Sequence, residues 1–393
     1  MLLVSVQIRT RMLARAADEP HRAASQLELL FDLTFVIAVA ALAHHYAGAI
    51  GSGHALDELV PFLQVFFAIW WAWVNFTWFA SAFDTDDVPF RLLTLVQMAG
   101  VLVLAAGVPA ALDHGDYAAV TAGYGIMRIG LGAHWLRAAI EDPSSRGTAV
   151  RYAVGITVLE LAWLLRLALD EAGLLSDHAR LAAFAALAAC ELAVPIWAER
   201  RGATSWHPHH IAERYGLFAI ILFGESVFAA SAGVERALAA DGVSVPLVAI
   251  AAAALALVFA LWWIYFLQDT GDGLVIHRER SYLWGYGHFG LLAALAAIGA
   301  GLEIAVEQTG HGIAASPTAV GYAIAIPVAA FLALTWALHA PIAPRPVLRP
   351  GVLLGSCLLI LAVPALGVSV LWALAAIAAI CAAVVALTLA GRR

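Results

Sequence analysis

Acidic side chains interrupt the long apolar segments of this 393-residue chain. Glu28 and Asp32 are four residues apart, which on a helix places both carboxylates on one face, about one turn apart. Glu225 follows Arg214 by three helical turns and therefore lies on the same face, about 16 Å deeper. A carboxylate near the middle of a bilayer costs at least about 2.5 kcal/mol unless it is protonated, paired or in contact with water. These residues therefore predict a polar site within an apolar region.

This polar site has a structural and a functional interpretation. In the structural one, Glu28 or Asp32 forms an ion pair with Arg214 that only joins two helices. In the functional one, Glu28, Asp32 and Glu225 bind a cation or exchange protons. Arg214 is then their counter-ion, and Glu213 belongs to the same site. Three acids against one arginine leave an excess of negative charge, which favours the functional interpretation.

Two acidic loops form a second candidate set, and each follows a tryptophan-rich segment and precedes an arginine. Their residues are Asp84, Asp86 and Asp87 before Arg91, and Asp269 and Asp272 before Arg278 and Arg280. We interpret the loops as salt-bridged locks between neighbouring helices, with cation access as the alternative. The tryptophans Trp70, Trp71 and Trp73, like Trp262 and Trp263, are typical of anchors at a membrane interface.

The composition places the elements that carry these residues in lipid. Hydrophobic residues make up 63% of the chain and charged residues 12%, and the mean hydropathy is +0.87. Such a chain has too little polar surface for a soluble globule. Twelve segments have the roughly 20 apolar residues that a membrane-spanning helix needs. They are 26–49, 59–82, 89–111, 117–140, 148–170, 178–199, 209–232, 244–268, 281–304, 317–340, 347–365 and 367–390. The sequence thus predicts an all-α polytopic membrane protein.

The distribution of arginines predicts the orientation. With the N-terminus in the cytoplasm, twelve spans place 16 of the 21 arginines on the cytoplasmic side and leave only Arg180 and Arg236 outside. This asymmetry is the one that the positive-inside rule describes. Both termini are therefore predicted to be cytoplasmic.

Short motifs recur at an offset of about 185 to 200 residues, which indicates duplication. The pairs are Glu28 and Glu213 at the start of a helix, Trp70-Trp71 and Trp262-Trp263, and Gly123-Tyr124 and Gly321-Tyr322. Six spans per repeat give both halves the same orientation, as in transporters with parallel repeats. We predict a cytoplasmic tail at 1–24, a first six-helix repeat at 25–200 and a second at 207–391.

Sequence patterns of enzymes are missing from the chain. It contains no phosphate-binding loop, nucleophile elbow or H-E-x-x-H motif, and no soluble segment that could form a separate domain. The cluster of His207, His209, His210 and Glu213 lacks a second helix that would complete a metal site. We therefore predict no enzymatic activity, no metal or cofactor and no nucleic-acid partner.

Three segments together resemble the bacterial low temperature requirement A (LtrA) family. They are Glu28-Leu-Leu-Phe-Asp32-Leu-Thr-Phe35 continuing to His44-His45, Trp70-Trp71-Ala-Trp73-Val-Asn75-Phe-Thr77 with Asp84 to Asp87, and His209-His210-Ile-Ala-Glu213-Arg214-Tyr-Gly216 continuing to Gly224-Glu225. The resemblance implies a multi-pass protein of the bacterial inner membrane, named for a cold-growth phenotype. It implies no particular molecular activity.

These observations together favour a proton- or cation-coupled transporter with a polar site between its first and seventh helices. The predicted partners are the lipid bilayer and a small solute or cation. One alternative is a cation channel built from a duplicated six-helix repeat, favoured by a weaker similarity of Phe31-Asp32 to the first helix of certain potassium channels. The other is a membrane receptor or scaffold that transports nothing.

Overall fold

The computed structural model describes residues 8–20, 22–308, 313–343 and 347–391, and all regular secondary structure in these ranges is helical. Residues 1–7 of the predicted tail lie outside the described ranges. The helices are α1 Gln26–Ser52, α2 Leu59–Phe83, α3 Val88–His114, α4 Ala118–Glu141, α5 Arg146–Glu171, α6 Asp177–Ala198, α7 Pro208–Asp241, α8 Val245–Phe266, α9 Gly271–Ile276, α10 Ser281–Glu307, α11 Pro317–His339, α12 Pro350–Ala362 and α13 Val370–Ala390.

The helices other than the short α9 coincide with the twelve predicted segments, which confirms the all-α class. Within the described residues, ten helices are long and apolar enough to cross a membrane, so the chain is a multi-pass membrane protein. Helix α4 is outside that group because buried Arg128 and His134 interrupt its apolar sequence. Helix α12 has 13 residues and is followed by a 3-10 turn at Pro364–Leu366, where the sequence predicts the break between the last two spans.

Helix α7 continues nine residues beyond its predicted end at residue 232. Its final turns are rich in alanine, the residue with the highest helix propensity. Gly242 follows with a φ of +75°, a conformation that favours glycine and commonly ends a helix.

The chain forms two compact units. The first contains the chain up to Ala38 and Phe67–Arg214, and the second contains Val39–Phe66 and Tyr215–Arg393. In the first unit, small residues bring α3 and α4 into backbone contact. A Cβ at Gly100 would lie 2.6 Å from the carbonyl oxygen of Gly123. Glycine at both positions therefore allows these helices to pack closely.

The N-terminal segment of the first unit packs against the ends of its helices. The backbone N–H of Thr10 donates to Oδ2 of Asp87 at 2.8 Å, and that of Met12 donates to Oε2 of Glu141 at 2.6 Å. Met12 is fully buried. The segment therefore contributes to the packing of the α2–α3 loop and the end of α4.

In the second unit, α10 is a central helix, and every residue from Ile298 to Val306 is buried. It contacts α11 through Gly301, where a Cβ would lie 3.0 Å from the carbonyl oxygen of Ala323. It contacts α7 through Gly299, where a Cβ would lie 3.2 Å from Oγ of Ser226. Small residues on α10 thus let two neighbouring helices approach it closely.

Candidate functional site

A buried ion pair joins α1 to the first turns of α7 in the first unit. Nη2 of Arg214 donates to Oδ1 of Asp32 at 2.6 Å, and Nε donates to Oδ2 at 3.0 Å. The indole Nε1 of Trp73 also donates to Oδ1 of Asp32, at 2.7 Å. Both charged side chains are fully or almost fully buried. The two-pronged geometry is the strong form of an arginine–carboxylate pair and fixes the relative position of the two helices.

Glu28, one turn before Asp32, contacts the same guanidinium. Its Oε1 lies 2.9 Å from Nη1 of Arg214 and 3.1 Å from Nε2 of His210. Both contacts are ion pairs by distance, but neither nitrogen has the geometry of a hydrogen bond. Its Oε2 accepts a hydrogen bond from the backbone N–H of Ser25 at 2.7 Å, and Oγ of Ser25 accepts one from the N–H of Glu28 at 3.3 Å. This reciprocal pair is a capping box, so Glu28 both starts α1 and belongs to the charged cluster.

Arg22 and Asp84 extend the cluster towards the α2–α3 loop. Nη2 of Arg22 lies 3.4 Å from Oε1 of Glu28 and 3.5 Å from Oδ2 of Asp84. Both residues are buried. Burial and the nearby carboxylate of Glu28 raise the pKa of Asp84 to about 6, in spite of the opposing effect of Arg22.

The resulting charged cluster, defined as Arg22, Glu28, Asp32, Asp84, His210 and Arg214, contains three acids and two arginines. If all three acids are ionised and His210 is neutral, the net charge is −1. A proton on one of these groups, or a bound cation, neutralises the cluster. Burial makes an unbalanced charge costly. A change in the ion pairs of the cluster therefore changes how favourably its acids and His210 bind protons.

Comparison with known proteins shows the family of this chain. A family described as "Bacterial low temperature requirement A protein (LtrA)" matches residues 23–390. The chain belongs to the LtrA family. It is also 27% identical, over 297 residues, to the uncharacterised protein RA0937 of Rhizobium meliloti strain 1021. The aligned region covers 72% of this chain and 69% of that protein. No solved structure matches it.

Two predicted site residues of this LtrA-family chain lie outside the charged cluster. Glu213 is exposed, and its Oε2 accepts a hydrogen bond from the backbone N–H of Ala24 at 3.2 Å. Glu225 belongs to the second unit, where it is 8% exposed. A Cβ added to Gly224, the residue beside it, would have no atom within 4 Å, so close backbone approach does not explain this glycine.

In the first acidic loop of the LtrA chain, the three aspartate carboxylates contact three different arginines. Asp86, with a φ of +47°, pairs with Arg91 through two bonds of 2.8 Å. Asp87 caps α3 and accepts two hydrogen bonds from Arg137 of α4, at 2.8 and 2.6 Å. Although burial opposes its ionisation, these bonds lower the pKa of Asp87 to about 2. The third arginine is Arg22, which contacts Asp84.

The second acidic loop is arranged differently. Oδ1 of Asp269 accepts the backbone N–H of Gly271 at 2.8 Å, at the start of α9, and Asp272 lies within that helix. Arg280 lies 3.7 Å from Glu279 and donates to the carbonyl oxygen of Pro341. The described contacts of Arg280 therefore join it to the α11–α12 loop.

Trp70, Trp71 and Trp73 of α2 are buried, so their interpretation as interfacial anchors is wrong. Trp70, Trp71 and Trp73 are at most 1% exposed. Nε1 of Trp71 donates to Oε2 of Glu191 at 2.9 Å, and that carboxylate also lies 2.6 Å from Nη2 of Arg128. A second buried ion pair, Arg128–Glu191, therefore also receives a hydrogen bond from a tryptophan of α2.

Sequence reasoning missed the roles of Arg22, His210, Trp73 and Thr77. Oγ1 of Thr77 accepts a hydrogen bond from Nη2 of Arg214 at 3.4 Å. The sequence does contain one signal, because Ser25 and Glu28 have the spacing of a capping box and place Arg22 just before α1. His210 contacts Glu28 because it lies on a buried face of α7. Whether that face is buried depends on the helices that surround it, which the sequence does not specify.

Proposed function

We propose that this LtrA-family chain is a proton- or cation-coupled transporter whose polar site is the charged cluster between α1 and α7. The observation that carries the proposal is the unequal number of buried charges in that cluster, three carboxylates against two arginines. Ionisable residues inside a membrane domain typically mark an ion or substrate path. Glu28 and Asp32 are the proposed binding residues, and Arg214 is their counter-ion.

Proton coupling is supported by two groups at the edges of the cluster. Asp84 has a pKa of about 6, and His210 contacts Glu28 at 3.1 Å. Loss or gain of a proton at Asp84 changes the charge that Arg22 must balance, and Arg22 also contacts Glu28. Protonation at the loop is therefore linked through Arg22 to the ion pairs of Arg214.

The surrounding architecture is proposed to be two parallel six-helix repeats in the bacterial inner membrane, with both termini in the cytoplasm and no enzymatic role. The acidic loops are proposed to lock neighbouring helices during transport. A transporter, a cation channel and a scaffold differ in flux, so one assay separates them.

The test is flux through purified protein reconstituted in liposomes that contain a pH-sensitive dye. Sodium and potassium gradients are imposed at an acidic and an alkaline external pH. A transporter moves protons or the cation at a saturable rate that depends on pH. Non-saturable, voltage-driven cation flux would instead support the channel, and the absence of flux for every ion would support the scaffold.

The matched variants are Asp32→Asn/Arg214→Gln and Glu213→Gln. The first removes both charges of the buried pair, so neither side chain of that pair is left as an uncompensated charge. The second removes an exposed charge next to Arg214 on the same helix. Flux is expected to be lost in the double variant and kept in Glu213→Gln. Wild-type flux in a folded double variant would overturn the assignment of the site.

A further inference from the structure

The segment before α1 docks along the ends of α2 and α4 and the start of α3, all in the first unit. We call residues 8–20 together with Arg22 the N-terminal strap. Backbone N–H groups at every second position of the strap donate to carboxylates, which is the spacing of an extended chain bound along one edge. The bonds run from Thr10 to Asp87 at 2.8 Å, from Met12 to Glu141 at 2.6 Å and from Ala14 to Asp142 at 3.2 Å. Three acids thus bind the main chain of the strap, and fully buried Met12 anchors it.

Arginine side chains from both partners reinforce this docking. Nη2 of Arg137 donates to the carbonyl oxygen of Thr10 at 2.6 Å, and Nη2 of Arg9 donates to Oε1 of Glu141 at 3.0 Å. Nε of Arg11 donates to the carbonyl oxygen of Glu141 at 2.8 Å. The Arg9 side chain is 73% exposed, so salt screens its ion pair. The outer half of the strap is therefore held in part by charges whose attraction weakens as the ionic strength rises.

The inner end of the strap supplies one of the two arginines of the charged cluster. The backbone N–H of Arg15 donates to the carbonyl oxygen of Ala82 at 2.9 Å, at the end of α2. Nη2 of Arg22 lies 3.4 Å from Oε1 of Glu28 and 3.5 Å from Oδ2 of Asp84. Arg22 precedes α1 and is not part of a helix. Its position in the cluster therefore depends on the docking of the strap.

Arg22 balances negative charge that the cluster would otherwise present to a cation. With Arg22 in place, three acids face two arginines, and without it they face Arg214 alone. With His210 neutral, departure of Arg22 changes the net charge of the ionised cluster from −1 to −2. The guanidinium of Arg22 also occupies the position beside Glu28 and Asp84 that a cation bound to both carboxylates would need.

We propose that the N-terminal strap is an autoinhibitory element of the charged cluster. When docked, it places Arg22 on Glu28 and Asp84, and when salt releases it, these two carboxylates are free to bind a cation. The guanidinium and the cation compete for the same oxygens, so each state of the strap favours one of them. Raised ionic strength favours the released state because it screens the outer ion pairs. The inhibition of transport rests on the proposed function, whereas the docking of the strap does not.

Hydrogen exchange of the full-length purified protein, followed by mass spectrometry, tests the docking without any flux measurement. At low ionic strength the backbone N–H groups of residues 10–14 should be protected, since they donate to carboxylates. In about 1 M choline chloride, where the Debye length is about 3 Å, their exchange should become faster. Exchange within the buried helix α10 should stay the same in both media.

Matched glutamate variants test whether the two ends of the strap are coupled. Glu141→Ala removes the acceptor of Met12 and the partner of Arg9, so exchange of residues 10–14 should rise about tenfold or more at low ionic strength. The N–H of Ser25, three residues after the inner end of the strap, should exchange faster as well. Glu171→Ala changes the exposed last residue of α5 and should leave both regions as in wild type.

Uptake of sodium and of potassium into liposomes tests the inhibition. At low ionic strength Glu141→Ala should take up the transported cation several times faster than wild type. Choline chloride on both sides of the membrane should bring wild type to the rate of the variant, and Glu171→Ala should match wild type in both media. Arg9→Ala/Arg11→Ala removes two contacts of Glu141 from the side of the strap and should act like Glu141→Ala. It provides the same test if Glu141→Ala does not fold, which gel filtration establishes.

Three outcomes would overturn the autoinhibitory strap. They are free exchange of residues 10–14 in wild type at low ionic strength, release of these residues without faster exchange at Ser25, and release without faster uptake in a protein that transports. Absence of uptake in every protein would instead refute the transport function and the inhibition with it. The exchange data would then still decide whether the strap docks and holds Arg22.

Discussion

Asp32 of α1 and Arg214 of α7 are separated by 182 residues, and two hydrogen bonds of 2.6 and 3.0 Å join their side chains. The carboxylate side chain is 1% exposed and the guanidinium side chain is fully buried. The pair is therefore almost completely shielded from solvent. Mutation of the two residues can therefore measure how much their pairing contributes to the stability of the fold.

The stability losses caused by removing each charge alone are expected to exceed, in sum, the loss caused by removing both. Arg214→Gln leaves the buried carboxylate of Asp32 without its arginine, which costs about 3–5 kcal/mol. Asp32→Asn removes the two hydrogen-bonded contacts of the guanidinium and leaves Arg214 with its contact to Glu28. The double variant leaves two neutral groups, so its loss should be smaller than the sum of the single losses. Melting temperatures of the detergent-solubilised variants, with Glu213→Gln as control, measure this. Additive losses would mean that the pair does not stabilise the fold through its charges.

Trp73→Phe is expected to lower the stability by about 1.5–3 kcal/mol, because it removes the Nε1 donor to a buried carboxylate while keeping an aromatic ring. Trp372→Phe is a suitable control, since Trp372 of α13 is 67% exposed. Equal melting temperatures for the two variants would show that the hydrogen bond to Asp32 is dispensable. The same measurement in the Asp32→Asn background should give a smaller effect of Trp73→Phe.

The stability contribution of Asp84 is expected to increase as the pH falls through about 6. Its pKa in the folded protein is about 6, which is above the ordinary aspartate pKa of about 3.9 in the unfolded chain. Between these two values the folded state binds more protons than the unfolded state, so acidification favours folding. The melting temperature of wild type relative to Asp84→Asn should therefore rise from neutral pH to about pH 4. Parallel pH profiles for the two proteins would contradict the raised pKa.

Gly123→Ala is expected to separate α3 from α4 and cost about 1–3 kcal/mol. The new Cβ would lie 2.6 Å from the carbonyl oxygen of Gly100 and would also overlap the backbone of Leu104. Gly132→Ala on the same helix is the control, because no atom lies within 4 Å of its Cβ position. Gly132→Ala should keep or slightly raise the melting temperature, since alanine favours helix. A similar loss in both variants would indicate a general intolerance of α4 to substitution.

The helices could be predicted closely from the sequence, because apolar segments of membrane length are separated by short polar loops. Capping residues agree with these boundaries, as Asp87 does at α3 and Ser316 at α11. The end of α7 could not be placed, since its last turns are helical through alanine propensity rather than through a continued apolar face. Short α9 lacks the length that periodicity requires.

Part of the candidate site was predictable and part was not. Acids and an arginine inside apolar helices must be paired or solvated, which from the sequence alone indicates that Glu28 or Asp32 pairs with Arg214. The recurring motifs, in contrast, do not predict equal surroundings. Trp71 is buried against Glu191, whereas Trp262 is 44% exposed, and the Glu28 side chain is fully buried whereas Glu213 is exposed. Burial depends on neighbouring helices, which a repeated motif does not specify.

The 182-residue separation of Asp32 and Arg214 also constrains the biogenesis of the protein. Helix α1 leaves the ribosome and reaches the membrane before α7 has been synthesised. During that interval Asp32 lacks its guanidinium partner, and an unpaired carboxylate in hydrocarbon costs at least about 2.5 kcal/mol. Nascent α1 must therefore be protonated at Asp32, or remain in contact with water or with the insertion machinery, until α7 arrives. Although α1 is translated well before α7, it reaches its final electrostatic environment only when α7 has been inserted.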